Sequence, residues 1–179
     1  MKQEISLDMA KKISRIIDDA ISKNQLSFDI NKMDYINGRF KDFSHDSINN
    51  KPGTIGYKVI KKDRIYFIFL VDWYSDNRYP IVVHVKGVKG VTGALFGSYT
   101  YEEKPELNPE EYLIWRYIPR KRDGKNPERK ELFEKYCDNP VDIKLPKKIN
   151  DVEVFLNRLI EIIEIRIKVE GTVKKYGLI

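Results

Sequence analysis

The stretch RIYFIFLVDWYSDNRYPIVVHVKG, residues 64–87, decides the fold. It contains two apolar runs separated by a polar turn, a pattern typical of two antiparallel strands. Both runs are apolar at nearly every position, whereas a strand with one solvated face alternates apolar and polar residues. The stretch therefore predicts a hairpin at the centre of a sheet that is covered on both faces.

The segments around this hairpin extend the sheet and add two helices. A strand at residues 55–60 and the turn 61–64 complete three consecutive antiparallel strands. A helix is predicted from Leu7 to Ser22, because isoleucines recur there at helical spacing between charged residues. A longer helix is predicted to begin at Asn150, with Glu153 completing a capping box, and to pack its broad apolar face on the sheet.

Other segments are less regular. Residues 31–54 are polar and rich in turn-forming pairs, so they are predicted to be loop-rich. Residues 109–118 begin like a helix, yet they are aromatic and β-branched enough for a strand, and both alternatives stay open. A helix is predicted at 127–136 and a short edge strand at 141–145.

This order of elements predicts a single α+β domain over residues 1–179. Its central sheet should be mostly antiparallel or mixed, flanked by an N-terminal helix and a long C-terminal helix.

The composition limits the classes of function. A single cysteine, Cys137, excludes an intramolecular disulfide framework and a cysteine-based zinc site, and it fits a reducing compartment. No window reaches the roughly 20 apolar residues of a membrane span, and the N-terminus lacks the apolar run of a signal peptide. These features predict a cytoplasmic protein with no membrane partner.

The net charge of +6 permits an acidic partner. Cations that neutralise phosphates, interleaved with rings that stack on bases, are what a nucleic-acid groove needs. The predicted DNA- or RNA-binding residues are Arg116, Arg120, Lys121 and Arg122 for phosphates, with Trp115 and Tyr117 for stacking. The alternative is that the lysines cover a solvated face and the rings fill the core.

Asp72, His84 and Lys86 are the obvious chemical groups of the central hairpin. Alternate side chains of a strand share a face, so His84 and Lys86 are predicted to lie on the same side. Whether Asp72 reaches them depends on the strand register. Such a cluster is suited to metal-assisted hydrolysis, and the alternative is a turn-capping carboxylate, a hydrogen-bonded histidine and a surface lysine.

With Gly87, these three residues resemble the core of the PD-(D/E)XK nuclease superfamily. In that family a helix precedes a hairpin, one strand ends in Asp, and the next carries an acid-x-Lys. The resemblance covers about residues 5–90. It implies a divalent-metal-dependent nuclease in which Asp72 and His84 hold Mg²⁺ or Mn²⁺ and Lys86 positions or activates the attacking water.

His84 departs from the family pattern, because it stands where the family has an acid. Mg²⁺ prefers oxygen ligands, whereas imidazole suits softer transition metals. The departure implies a changed metal preference, an acid supplied from elsewhere such as Asp76, or a core that has lost catalysis.

The other histidine, His45, lies in the sequence FSHDS at residues 43–47. Neighbouring residues in an extended loop cannot converge as a catalytic triad does, so a loop role is predicted for it. A zinc site is not predicted, because the two histidines and the one cysteine are widely separated in the sequence.

The leading hypothesis is a nucleic-acid-binding protein with a degenerate or atypical nuclease-like core. The main alternative is a non-enzymatic protein-interaction module, such as an inhibitor, an immunity protein or a regulatory subunit. Ile162, Ile165 and Val169 add apolar mass off the main face of the last predicted helix, which favours a protein partner or a homodimer at that helix.

Overall fold

A computed structural model of the protein describes residues 7–49, 53–70, 80–87, 94–96, 105–108, 111–115, 127, 131 and 141–175. The N-terminal helix is Leu7–Ser22, a short helix is Asp46–Asn49, and the C-terminal helix is Val152–Lys175, preceded by a 3-10 turn at Ile149–Asp151. The strands are β1 (Asp29–Lys32), β2 (Tyr35–Ile36), β3 (Arg39–Phe40), β4 (Ile55–Lys61), β5 (Arg64–Leu70), β6 (Ile81–Val85), β7 (Ala94–Phe96), β8 (Tyr112–Trp115) and β9 (Val141–Lys144).

The main sheet has five strands in the order β1-β4-β5-β6-β7, and all neighbouring strands are antiparallel. The α+β class and the antiparallel central sheet are therefore confirmed. None of the described helices is long and apolar enough to cross a lipid bilayer.

Strands β4 and β5 are joined by a two-residue turn. Lys62 and Asp63 both have positive φ angles, of 50° and 63°, as a type I′ turn requires. The turn makes Lys61 and Arg64 direct cross-strand partners. Both of these side chains interact with the C-terminal helix, so the turn fixes which cations lie beside that helix.

One face of the main sheet packs against the N-terminal and C-terminal helices. Tyr57 and Val59 of β4, which lie on this face, are completely buried. The Tyr57 hydroxyl lies 2.6 Å from Ser14 Oγ and donates to Asp18 Oδ1 at 2.8 Å, and both partners belong to the N-terminal helix. Burial, together with the nearby Asp18 carboxylate, raises the pKa of Tyr57, so the hydroxyl stays protonated and can donate.

The opposite face is covered by residues 33–49, which we call the covering segment. A second apolar cluster forms there between the sheet and this segment, and its buried members are Phe40, Ile48, Phe67, Phe69 and Val82. The expectation of a sheet buried on both faces is therefore confirmed. The expectation of a loop-rich region at 31–54 is only partly met, because this region contains the β2–β3 hairpin and the short helix.

Asn49 organises the covering segment and is only 1% exposed. Its side-chain oxygen accepts from the Phe40 N–H at 3.0 Å, and its side-chain nitrogen donates to the Phe43 carbonyl at 2.9 Å. The Tyr35 hydroxyl donates to the Asn49 backbone carbonyl at 2.6 Å. A buried amide that satisfies backbone groups in this way holds a short segment in one conformation.

The start of the C-terminal helix differs from the predicted capping box. The N-cap residue is Lys148 rather than Asn150, and Asp151 takes the role predicted for Glu153, since its carboxylate accepts from the backbone N–H of Lys148 at 3.2 Å. Glu153 instead accepts from Ser27, both from its hydroxyl and from its backbone N–H, the latter at 2.9 Å. Its carboxylate is therefore committed to a contact distant in the sequence, which ties the helix start to the residues that precede β1.

Residues 112–115 form a strand, which resolves the alternative left open for 109–118. This strand, β8, pairs with β9 in a separate two-stranded sheet. The predicted helix at 127–136 lies outside the described residues except for Pro127 and Glu131, both of which are helical.

Two of the residues that suggested a docking face on the C-terminal helix are covered by the chain itself. Ile162 is 2% exposed and Val169 is 3% exposed, and Ile165 is partly buried against the same core. These side chains therefore do not form the exposed apolar face on which the homodimer expectation depended.

Gly56 lets β4 approach the covering segment closely. A Cβ atom at this position would lie 2.8 Å from Phe69 Cε1 and 3.1 Å from Phe40 Cε1. We expect Gly56→Ala to lower the free energy of unfolding by about 1–3 kcal/mol, the usual cost of overpacking. Phe69→Leu should relieve part of the clash with the alanine side chain. The loss of unfolding free energy in the double variant, measured by urea denaturation, should therefore be smaller than the sum of the losses in the two single variants. If the two losses of unfolding free energy simply add in the double variant, the close contact between position 56 and the Phe69 ring is contradicted.

The Ser27–Glu153 contact should make stability depend on pH. The Ser27 hydroxyl, and then its N–H, hold the pKa of Glu153 below its ordinary value. A lowered folded-state pKa gives stability that is present above the unfolded pKa, about 4.3, and that is lost as the pH falls through the folded pKa. Ser27→Ala should therefore destabilise the protein at neutral pH, and its difference from wild type should shrink in acid.

Thermal unfolding of wild type and Ser27→Ala, measured from neutral pH down through the folded-state pKa of Glu153, would detect this change in stability. Ser22→Ala is the matched control, because the Ser22 hydroxyl contacts only the Asp19 carbonyl among the described residues. A Ser27→Ala difference that stays constant with pH would show that Glu153 is not the linked group.

Candidate functional site

The two histidines, far apart in the sequence, lie side by side on the covered face of the sheet. His84 belongs to β6 and is 9% exposed, whereas His45 lies at the exposed start of the short helix. Their ring centroids are 5.0 Å apart, with the ring planes at 46°. Phe43 contacts both rings, edge-on to His84 at 5.2 Å and stacked with His45 at 6.3 Å.

Lys86 occupies a different environment from His84. Strand β6 ends at Val85, and Lys86 lies in the following turn with its side chain exposed. Its backbone N–H donates to the Ile65 carbonyl at 3.0 Å. With Asp63, Arg64 and Ile65, it lines an open hollow of about 280 Å³. The structure therefore places His84 among aromatic rings and Lys86 beside an open hollow at the sheet end.

Four cations gather at this end of the sheet, and we call them the basic rim: Lys61, Lys62, Arg64 and Lys86. The first three line a larger open cleft of about 560 Å³ between the β4–β5 turn and the C-terminal helix. Arg64 lines both this cleft and the hollow beside Lys86. The two concavities therefore share one residue, Arg64.

The acids of the cleft have partners of their own. Glu161 pairs with Arg158 at 3.1 Å. Glu164 accepts a hydrogen bond from the Tyr66 hydroxyl and lies 3.4 Å from Arg64 Nε. Burial, and then the Glu164 contact, raise the pKa of Tyr66, which keeps this hydroxyl protonated.

The charges of Lys61 and Arg64 are only partly satisfied by the described residues. Lys61 Nζ donates to Asn157 Oδ1 at 2.6 Å, which orients its side chain without neutralising its charge. Arg64 Nη1 is buried and, among the described residues, has no hydrogen-bond partner. A buried donor without a partner costs about 1–3 kcal/mol. This nitrogen is enclosed, so an anion would contact the exposed part of the Arg64 side chain, which is 40% exposed as a whole.

Most of the predicted site residues fall in parts of the chain that the structure does not describe. They are Asp72, Asp76, Arg116, Tyr117, Arg120, Lys121 and Arg122. Trp115 is described and is only 4% exposed, with its ring 6.4 Å from that of Phe96. Its ring belongs to the core and is not available to stack on a base.

Two features of the site were missed by sequence reasoning. The proximity of His45 to His84 is a long-range contact that no local pattern carries. The pairing of Lys61 with Arg64 could have been found, because a two-residue turn between two strands makes the residues on either side of it neighbours.

No group of three or more His, Cys, Asp or Glu side chains that could hold a metal ion occurs among the described residues. The Mg²⁺ or Mn²⁺ site expected at Asp72 and His84 stays a prediction, because Asp72 is not described. No protein-family model matches the chain, and neither a curated protein nor a solved structure matches it significantly.

Proposed function

We propose that the protein binds nucleic acid and that the basic rim contacts the phosphate backbone. The observation that carries the proposal is the position of Arg64, which lines both concavities and whose side chain is 40% exposed. A guanidinium group presents its donors in a planar fork that matches phosphate oxygens. Lysines on both sides of this group add the long-range attraction.

The fold supports this assignment because it holds the cations in place. The type I′ turn positions Lys61 and Arg64 as cross-strand partners, and the C-terminal helix fixes both through Asn157 and Glu164. Lys62 and Lys86 are exposed at the edge of the same region. A fixed pair of cations flanked by two exposed lysines can position a strand of phosphates without reading the bases.

A nuclease activity of this protein stays a prediction. It needs Asp72 close to Lys86, and the described residues contain only the second of these. The exposed position of Lys86 beside a hollow is compatible with a role on a phosphate, either as a binding group or as a catalytic one.

Fluorescence anisotropy with labelled single-stranded DNA and RNA over a salt series tests the proposal. For single strands, the slope of log affinity against log salt changes by about 0.7 for each phosphate contact. Lys62→Gln with Lys86→Gln should therefore reduce the slope by about 1.4 if each lysine contacts one phosphate. Binding should weaken to a similar extent for all sequences.

Lys11→Gln with Lys12→Gln is the matched control, because it removes the same charge from exposed positions on the N-terminal helix. It should leave the slope close to that of wild type. Arg64→Lys should weaken binding at unchanged net charge, because lysine cannot form the bidentate contact. Equal losses in both double variants, or no binding at low salt, would overturn the proposal. Absence of binding at low salt would instead favour an acidic protein as the partner of the basic rim.

A further inference from the structure

The histidine pair lies on the covered face of the sheet and has no part in the function proposed above. His84 comes from β6 and His45 from the covering segment, so the pair connects two structural layers. Phe43 packs against both rings and also against Phe69 of β5, at 4.6 Å. Both imidazoles are therefore supported by the same aromatic side chain.

The separation of the two ring centroids is compatible with two histidines bound to one metal ion. Imidazoles at tetrahedral positions around zinc, with metal–nitrogen distances of about 2.1 Å, have centroids about 5.3 Å apart. The observed separation is 5.0 Å. His84 belongs to β6, which lies between β5 and β7 in the sheet, whereas His45 is exposed at the start of the short helix.

We propose that His45 and His84 form a binding site for a first-row transition metal ion such as Zn²⁺, which joins the covering segment to β6. Two imidazole donors favour zinc, nickel or copper over Mg²⁺, which prefers oxygen ligands. The exposure of His45 gives the ion access from solvent. Water molecules complete the coordination sphere, so the site is weaker than a four-ligand structural zinc site.

The ion stabilises the folded protein, because the two ligands come together only when the covering segment packs on the sheet. A metal that binds the native state and not the unfolded chain raises stability according to its concentration and affinity. This effect does not require nucleic acid. The metal-binding proposal and the nucleic-acid-binding proposal can therefore be supported or contradicted independently of each other.

Calorimetric titration of metal-free protein with Zn²⁺, together with thermal unfolding, tests the proposal. Wild type should bind one ion and unfold at a higher temperature when Zn²⁺ is present, and Mg²⁺ should cause neither effect. His45→Phe keeps an aromatic ring against Phe43 but removes the donor. It should weaken Zn²⁺ binding more than about tenfold, since even the loss of an outer-shell contact acts on that scale.

Ser44→Ala, at the exposed neighbouring position, is the control for an unspecific change in the segment and should bind like wild type. The test depends on His45 rather than on the buried His84, whose replacement could unfold the protein. Absence of Zn²⁺ binding in wild type, or equal binding by His45→Phe, would overturn the proposal.

Discussion

The structure depends on burying both faces of β5 and β6. Successive side chains of these strands point in opposite directions, yet residues 66–70 and 81–85 are all buried. One set, including Ile68 and Val83, packs under the two long helices, and the other, including Phe67 and Val82, needs a second cover. Removing this apolar surface from water, at about 25 cal/mol per Å², is the largest favourable contribution to the stability of such a core.

The position of each candidate site follows from this arrangement. The covering segment brings His45 onto the face that carries His84, so the histidine pair is a consequence of the second cover. The C-terminal helix covers the other face and contacts Lys61 and Arg64 at its end. Lys61 and Arg64 therefore depend on the helix that covers one face of the sheet, and the histidine pair depends on the segment that covers the other. Lys62 and Lys86 lie in turns at the end of the sheet.

Part of this fold could be predicted from local patterns, because they follow from periodicity. The N-terminal helix has the predicted bounds, and the two described strands of the stretch 64–87, β5 and β6, have the predicted burial on both faces. The identity of the second cover could not be predicted, because Phe40, Phe43 and Ile48 are scattered in a polar region without a helical or strand period. Asn49, part of an Asn-Asn pair that indicates a turn, is in fact the buried residue that organises the cover.

The candidate sites were harder to predict, since they consist of long-range contacts. The basic neighbours of Trp115 favour a stacking ring, but in β8 it shares a buried face with Leu113. Nothing local to His45 or His84 indicates that they meet. Their contact depends on the path of the covering segment, which is set by tertiary packing.

The central claim is that the covering segment packs on the sheet and brings the two histidines together. Nuclear Overhauser spectroscopy on the metal-free protein tests it most directly, since the two rings are 5.0 Å apart and Phe43 lies against both. We expect cross-peaks between the ring protons of His45 and His84, and from each of them to Phe43. Cross-peaks from His84 to Phe69 but none to His45 or Phe43 would contradict the account, because the sheet would then be folded without its second cover.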